Sequence, residues 1–412
     1  MANRQNAATA EHAPDHAQLA ERFRPVFQRI AEGALERERG RKLPFEPIEW
    51  LRQAGFGALR VPLADGGSGA SLPQLFRLLI ELSAADSNLT QALRAHFGFV
   101  EDRLVSTGDE QRQRWLKRFV DGELVGGAWT ETGNVGLGQV ITQVSPRADG
   151  SWRLNGRKFY STGSIYADWL DIYAQRSDTG EDVIAVTRAR QPGIQHSDDW
   201  DGFGQRTTGS GTSVFEDAEV EAGNVIPFGT RFKYQTAFYQ VLLLSILAGI
   251  GRAAANDAAR LVRERTRVFS HGNAPRVADD VQVQQVVGQL GAQAYAAEAI
   301  VLRAAEALQA AYDSHFLGDA EAEHQANIDA ELESAQAQLV VSELVLRASS
   351  DLFNALGASA AREALQLDRH WRNARTISSH NPLIYKARIV GDWLINGNEP
   401  PYVWQIGNGT RG

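Results

Sequence analysis

The chain contains no cysteine in 412 residues. Disulfides, thiolate metal sites and cysteine nucleophiles are thereby excluded, and a cytoplasmic setting is the expectation. Positive charge is not in excess either: 42 lysines and arginines stand against 50 aspartates and glutamates, a net charge of -8. That balance argues against nucleic acid as the main partner. Long apolar runs are also missing. The longest, Val241 to Ile250, is far too short to cross a bilayer and reads as a buried helix, so no membrane partner is expected. Residues 1–16 are small and polar, include Pro14 and hold no apolar segment. They read as a disordered start without a secretory signal. Several chemical signatures are absent as well. There is no His-Glu-x-x-His and no Walker sequence, and Gly202-x-Gly204 lacks the helix that a dinucleotide fingerprint needs. Gly209-Ser210-Gly211 has the wrong spacing for a nucleophile elbow. Neither a metal site nor a tightly held nicotinamide is expected.

What is present divides into three parts. Hydrophobic residues make up 43% and charged residues 22%, the balance of a globular protein with a substantial core. Residues 17–122 read as an α-helical domain. Leu19, Phe23, Val26, Phe27 and Ile30 share one face of a helix over 16–41, and further helices are expected at 72–85, 89–106 and 110–119. From 123 to 229 the pattern changes to short β-rich runs with turn signals at Asp149-Gly150 and Asp178-Thr179-Gly180, as in a small barrel or sandwich. From 230 to 412 the chain is helical again. Alanine-rich segments at 236–268, 281–314 and 325–356, with a fourth near 359–373, predict a four-helix bundle.

Chemistry-bearing residues cluster in a few places. The stretch Leu367 to Thr376, with Ser379-His380-Asn381-Pro382, packs Arg369, His370, Trp371, Arg372, Arg375 and His380 into a helical context. Such groups are costly to bury without partners, so the cluster points to a planar, anionic ligand. Two glycine-flanked segments lie in the β region: Gly126-Gly127-Ala128-Trp129-Thr130-Glu131-Thr132-Gly133, and Asn155-Gly156-Arg157-Lys158-Phe159-Tyr160-Ser161-Thr162-Gly163. Read alone, the first is also an ordinary strand turn and the second a polar strand end. A third segment, Gly204 to Thr212, is rich in hydroxyls, and Arg263, Arg265 and Arg267 precede Phe269. Guanidinium groups suit bidentate phosphate recognition, although a basic helix end is more often solvated.

Taken together, these segments resemble the acyl-CoA dehydrogenase superfamily, and in particular its reduced-flavin-dependent, two-component monooxygenase branch. The helix–β–helix order matches that superfamily over nearly the whole chain. The resemblance implies an α+β fold with an N-terminal helical domain, a central β-barrel or sandwich and a C-terminal four-helix bundle. It places Trp129, Thr130, Ser161 and Thr162 against a flavin ring. It assigns the flavin phosphate to Arg267, beside Phe269, across a subunit interface of a homotetramer, with Trp371 and Arg372 as further contacts. Ser210 would line the substrate side. Where dehydrogenases carry the Tyr-Glu-Gly of their catalytic base, this chain has Ser379-His380-Asn381-Pro382. His380 and His96 are therefore expected to manage protons, and Thr162 to stand near the reactive edge of the flavin. The adenine-binding glycine segment is reduced to Leu356-Gly357-Ala358-Ser359-Ala360, which favours FMN over FAD. The implied activity is oxygenation of a small, soft-centred substrate, most simply an organosulfur compound, through a C4a-peroxyflavin formed from FMNH2 and O2. An NAD(P)H-dependent flavin reductase would supply the FMNH2. Two alternatives stay open: a dehydrogenase or nitroalkane oxidase that holds FAD, and an inactive flavin-fold binding protein.

Overall fold

The computed structural model describes residues 14–106, 108–133 and 135–403. The expected disorder of residues 1–13 concerns positions outside that range. Asp15 caps the first helix, α1 (His16–Glu32), in a capping box with Gln18, so regular structure begins one residue before the expected start at 17. Leu19, Phe23, Phe27 and Ile30 are buried along one face of α1, as their spacing predicts. The expected helix over 16–41 is divided at Gly33, and α2 (Ala34–Gly40) follows.

Three longer helices complete the first part after α3 (Phe45–Gln53): α4 (Leu72–Ala92), α5 (Arg94–Val105) and α6 (Asp109–Val120). The break foreseen after residue 85 is real. Asp86 adopts φ −159 and ψ 105 inside α4. Its carboxylate explains the break: it accepts from Asn88 N at 3.2 Å and from Arg37 Nη2 at 2.9 Å. A buried side chain that caps its own following turn competes with the helical ladder.

Eight strands form one sheet: β1 (Val125–Ala128), β2 (Gln143–Pro146), β3 (Trp152–Lys158), β4 (Trp169–Arg176), β5 (Asp182–Arg188), β6 (Ile194–His196), β7 (Ser213–Val220) and β8 (Val225–Pro227). The pairing order is β6-β7-β3-β2-β4-β5-β8, with β1 parallel to β4. Both foreseen turns join antiparallel neighbours, β2 to β3 and β4 to β5.

The last part consists of α7 (Gln235–Glu264), α8 (Val281–Ser314), α9 (Ala320–Asp351), α10 (Asp368–Ser378) and α11 (Lys386–Asn396). The fourth bundle helix starts later than expected, because Ala358–Ala361 and Glu363–Leu365 are 3-10 turns. Helix α7 is long and apolar enough to cross a membrane, but 83% of its most apolar window is buried inside the protein. Helix α4 packs along α7, and the first and last parts share one core, with Phe76 edge-on to Phe238 at 5.7 Å. The approach is close at Gly249, where a Cβ would lie 2.3 Å from Ser83 Cβ.

All three parts meet at Arg231, which is 5% exposed. Its guanidinium reaches Asp171 of β4 at 3.3 Å, Asp102 of α5 at 3.9 Å and the Tyr239 hydroxyl of α7 at 3.3 Å. Removing one member of a buried ion network leaves charges uncompensated at a cost of about 3–5 kcal/mol. Arg231→Met is therefore predicted to lower unfolding stability by about that much, read as a shift of the urea midpoint. A loss below about 1 kcal/mol would show that the two carboxylates find other partners.

Candidate active site

Loops at the sheet's end and the helices packed on it enclose a cavity of about 660 Å³. That is within the range of roughly 300–1,000 Å³ usual for small-molecule and cofactor sites. The sheet side supplies Gly127, Trp129 to Thr132, Tyr160 and Thr162, and the following loops supply Trp200, Phe203, Gln205, Thr208 and Ser210. The helices supply Gln91, Arg94, Ala95, Tyr239 and Thr376, Ile377 and Ser379 to Asn381.

The two glycine-flanked segments face each other. Phe159 N donates to Thr130 O at 2.8 Å, an isolated bridge that ties the segments together. Trp129 is fixed from behind. Its indole N–H donates to Asp171 at 2.9 Å, and Arg231 sits 5.0 Å from its ring centroid. Tyr173 and Tyr239 flank it at 5.8 and 6.1 Å.

Thr162 and Ser210 are brought together as hydroxyl neighbours. Thr162 Oγ1 lies 2.7 Å from Ser210 Oγ, which lies 2.7 Å from Thr208 Oγ1, and Thr208 donates to Gln205 O at 3.0 Å. Each hydroxyl has one proton. Thr162 has two acceptors within reach of its one proton, Ser210 Oγ and, at 3.3 Å, Tyr160 O. Ser161, by contrast, is 1% exposed and does not line the cavity, and its Oγ has no partner among the described residues.

Glu131 is the one carboxylate among the described lining residues. Lys158 Nζ meets it at 2.7 Å, and the N–H groups of Ile141 and Thr142 donate to it at 2.8 Å. Burial opposes its charge, but these donors outweigh burial and hold its carboxyl below the ordinary range. The pair is neutral as a unit and structural in effect.

His380 stands in the cavity wall. Arg94 Nη2 lies 3.2 Å from its Nε2, and Nδ1 lies 3.4 Å from Asn381 Oδ1. Arg94 can only donate, so Nε2 accepts and Nδ1 carries the proton. His380 keeps exposed surface on the cavity, and the crowding of protein around its ring, then the Arg94 charge, push the imidazole below its ordinary value, so it is neutral near pH 7.

His96 is placed differently. It is fully buried, outside the cavity lining. Nε2 lies 2.9 Å from Gly57 O, and Nδ1 accepts from Val125 N at 3.3 Å. Both ring nitrogens are thus used by the backbone, and the expected share of proton handling gives way to a structural role. The C-terminal cluster also departs from expectation. Arg372 is consumed within the chain by Glu38 and Asp368, each at 2.7 Å, which leaves no free guanidinium for a phosphate. Arg369 and His370 both hold Asp257, at 2.6 and 2.9 Å. Trp371 is 41% exposed and touches the cavity only through Phe203, on which it stacks at 5.9 Å. Arg267 and Phe269 lie off the cavity in the exposed link after α7, where Arg265, not Arg267, is anchored, donating to Leu356 O. Gln91, Arg94 and Tyr239 line the wall although no motif singled them out, and Gln205 lines it from within the Gly204 to Thr212 segment. The available signal was the helical spacing of Gln91, Arg94 and Ala95.

The residues present fit a flavin ring. The walls are aromatic, and Gln91 Oε1, Gln205 Oε1 and Arg94 Nε are buried without partners among the described residues. Such orphaned atoms are the polar points expected around a planar heterocycle and its substrate.

This architecture is that of the acyl-CoA dehydrogenase superfamily, and the chain belongs to it. The acyl-CoA dehydrogenase N-terminal domain model matches residues 13–123, and the C-terminal domain model matches residues 243–383. Within the superfamily, the chain is similar to flavin monooxygenases. The dibenzothiophene monooxygenase of Mycolicibacterium goodii is 27% identical over 93% of this chain and 95% of its own. The crystal structure of TdsC from Paenibacillus sp. A11-2 with FMN and indole superposes with a TM-score of 0.85 at 29% identity, over 94% of this chain and 98% of that one. The methanesulfinate monooxygenase MsuC of Pseudomonas fluorescens gives a TM-score of 0.83 at 26% identity, covering 93% and 98%.

His96 generates a prediction about acid stability. Burial lowers its pKa to about 4. Between its unfolded value near 6.5 and 4, the unfolded chain holds a proton that the folded protein does not. Stability is therefore full above about pH 6.5 and falls as pH drops toward 4. The urea midpoint should fall over that window. His96→Leu, less stable at pH 7, should show a shallower fall, and an unchanged slope would contradict this placement.

Proposed function

We propose that this chain is the oxygenase component of a two-component flavin system, taking FMNH2 from a separate NAD(P)H-dependent reductase and transferring one atom of O2 to a small organosulfur substrate. One observation carries the reading against a dehydrogenase: the only carboxylate lining the cavity, among the described residues, is Glu131, and Lys158 holds it ionised and occupied. Nothing acidic is free to remove a substrate α-proton, and His380 stands in the wall instead.

Reduced FMN, when bound, supplies the electrons that activate dioxygen. The residues supply the setting. Trp129, Tyr160 and Tyr239 give apolar area and exclude water. Thr162 presents an oxygen held in place by Ser210. His380, neutral near pH 7, is the one imidazole among the described lining residues and serves as the general acid–base. With a reductase, NADH, FMN and labelled dioxygen, a sulfide product should carry one labelled oxygen. His380→Ala should keep FMN affinity and lower product formation about a hundredfold, with hydrogen peroxide in its place. An unlabelled product, or desaturation of an acyl-CoA at an ordinary rate, would overturn the reading.

The same reading includes a homotetramer in which Arg267, with Phe269, reaches the flavin phosphate of a neighbouring subunit. It is supported by the exposure of both residues away from their own cavity. Large apolar side chains left open on α8 and α11, such as Tyr295 at 77% and Ile395 at 82%, also support it. Light scattering should report a tetramer. Arg267→Ala should weaken FMN far more than riboflavin, and FMN should bind more tightly than FAD. Equal losses for FMN and riboflavin would remove Arg267 from the phosphate site.

A further inference from the structure

Five buried or cavity-lining arginines invite comparison. Arg37, Arg60, Arg103 and Arg231 each lie within 3.3 Å of a carboxylate: Asp86, Glu101, Asp102 and Asp171. Arg94 has none. Among the described residues, its one hydrogen bond goes to a neutral imidazole, His380, at 3.2 Å. Its other neighbour is the face of Tyr239, 5.4 Å away. Its Nε is buried without a partner. It is also the only lysine or arginine in the described cavity lining, and Glu131 is already neutralised by Lys158. The cavity therefore carries one uncompensated positive charge. Leaving a guanidinium desolvated and unpaired is costly, and the cost is recovered when a ligand brings the missing anion. The planar fork is shaped for a two-oxygen acceptor.

We propose that the oxidised substrate is an organic anion, an organosulfur compound whose carboxylate or sulfinate group is gripped by Arg94. Gln91 and Asn381 lie in the same wall, and the Asn381 amide already donates to Gln240 Oε1. This rests on the monooxygenase reading and sets its substrate class. The balance holds for either anion. For a thioether carboxylate, the sulfur gains one oxygen atom and loses two electrons, and the carboxylate is unchanged. For a sulfinate, the sulfur likewise gains one oxygen and becomes a sulfonate. In both cases reduced FMN gives up two electrons and two protons, and the second oxygen atom leaves as water.

The test compares isosteres of opposite character in the FMN-loaded enzyme with its reductase: para-(methylthio)benzoate against para-(methylthio)toluene, with benzenesulfinate as a second anion. The anions should be the better substrates. Arg94→Gln should lower kcat/KM for them about tenfold to a hundredfold, the usual range for a hydrogen bond to a charged group. It should cost the neutral sulfide clearly less, only what the lost contact to His380 removes, and leave FMN affinity intact. Arg94→Lys should restore part of the loss. Independently of turnover, benzoate and benzenesulfinate should raise the thermal midpoint of the flavin-free protein and not that of Arg94→Gln. A preference for the neutral sulfide would overturn the proposal and leave the monooxygenase reading standing. An equal loss on both substrate types would reduce Arg94 to a positioning residue for His380. Weakened FMN binding with unchanged charge preference would hand the guanidinium to the flavin. Stabilisation by the anions without oxygenation of any sulfur compound would instead sink the monooxygenase reading and keep the anion site.

Discussion

Arg231 carries its charge into a place nearly without water, between a helix of the first part, a strand of the sheet and the first helix of the bundle. Desolvating a guanidinium costs several kcal/mol unless its partners are well placed. Here Asp171 and Asp102 hold it firmly charged. The geometry that satisfies it also fixes the active-site wall, because Asp171 accepts the indole N–H of Trp129 with its other oxygen. Tyr239, the third member, is the ring over which Arg94 lies. The cavity is thus set by one buried ion network, and its aromatic floor is placed before any ligand arrives.

The charge inventory of the cavity follows from that frame. Glu131 and Lys158 cancel, His380 is neutral, and the hydroxyls of Thr162, Ser210 and Thr208 form a hydrogen-bonded chain. What is left over is Arg94. A site with paired structural charges and one free cation selects by charge as well as by shape.

Much of this was legible in the sequence. The helix–strand–helix order, both hairpin turns and the break near Asp86 follow from spacing and turn chemistry. Trp129, Thr130, Thr162, Ser210 and His380 all reach one cavity from four separate segments. The failures share a cause, which is that partners distant in sequence decide whether a charged group is free. Arg372 looks available until Glu38, 334 positions away, is found against it. His96 and Arg94 differ by two residues and so lie on different faces of one helix. Gln91, Arg94 and Ala95, at spacings of three and four, face the cavity, and His96 turns into the backbone behind.

The segment that ends in Thr162 is pinned by its next residue. Gly163 has φ +79 and donates to Thr208 O at 3.1 Å, and a Cβ there would lie 2.0 Å from Ala92 O. A left-handed backbone pressed on a carbonyl admits glycine alone. Tyr160 and Phe203, in the same wall, are 55% and 54% exposed. For directed evolution the map is uneven: a library that reshapes the cavity has more room at 203 than at 160, where φ is +55, and any codon change at 163 levers the cavity-lining loop off α4 and empties the screen.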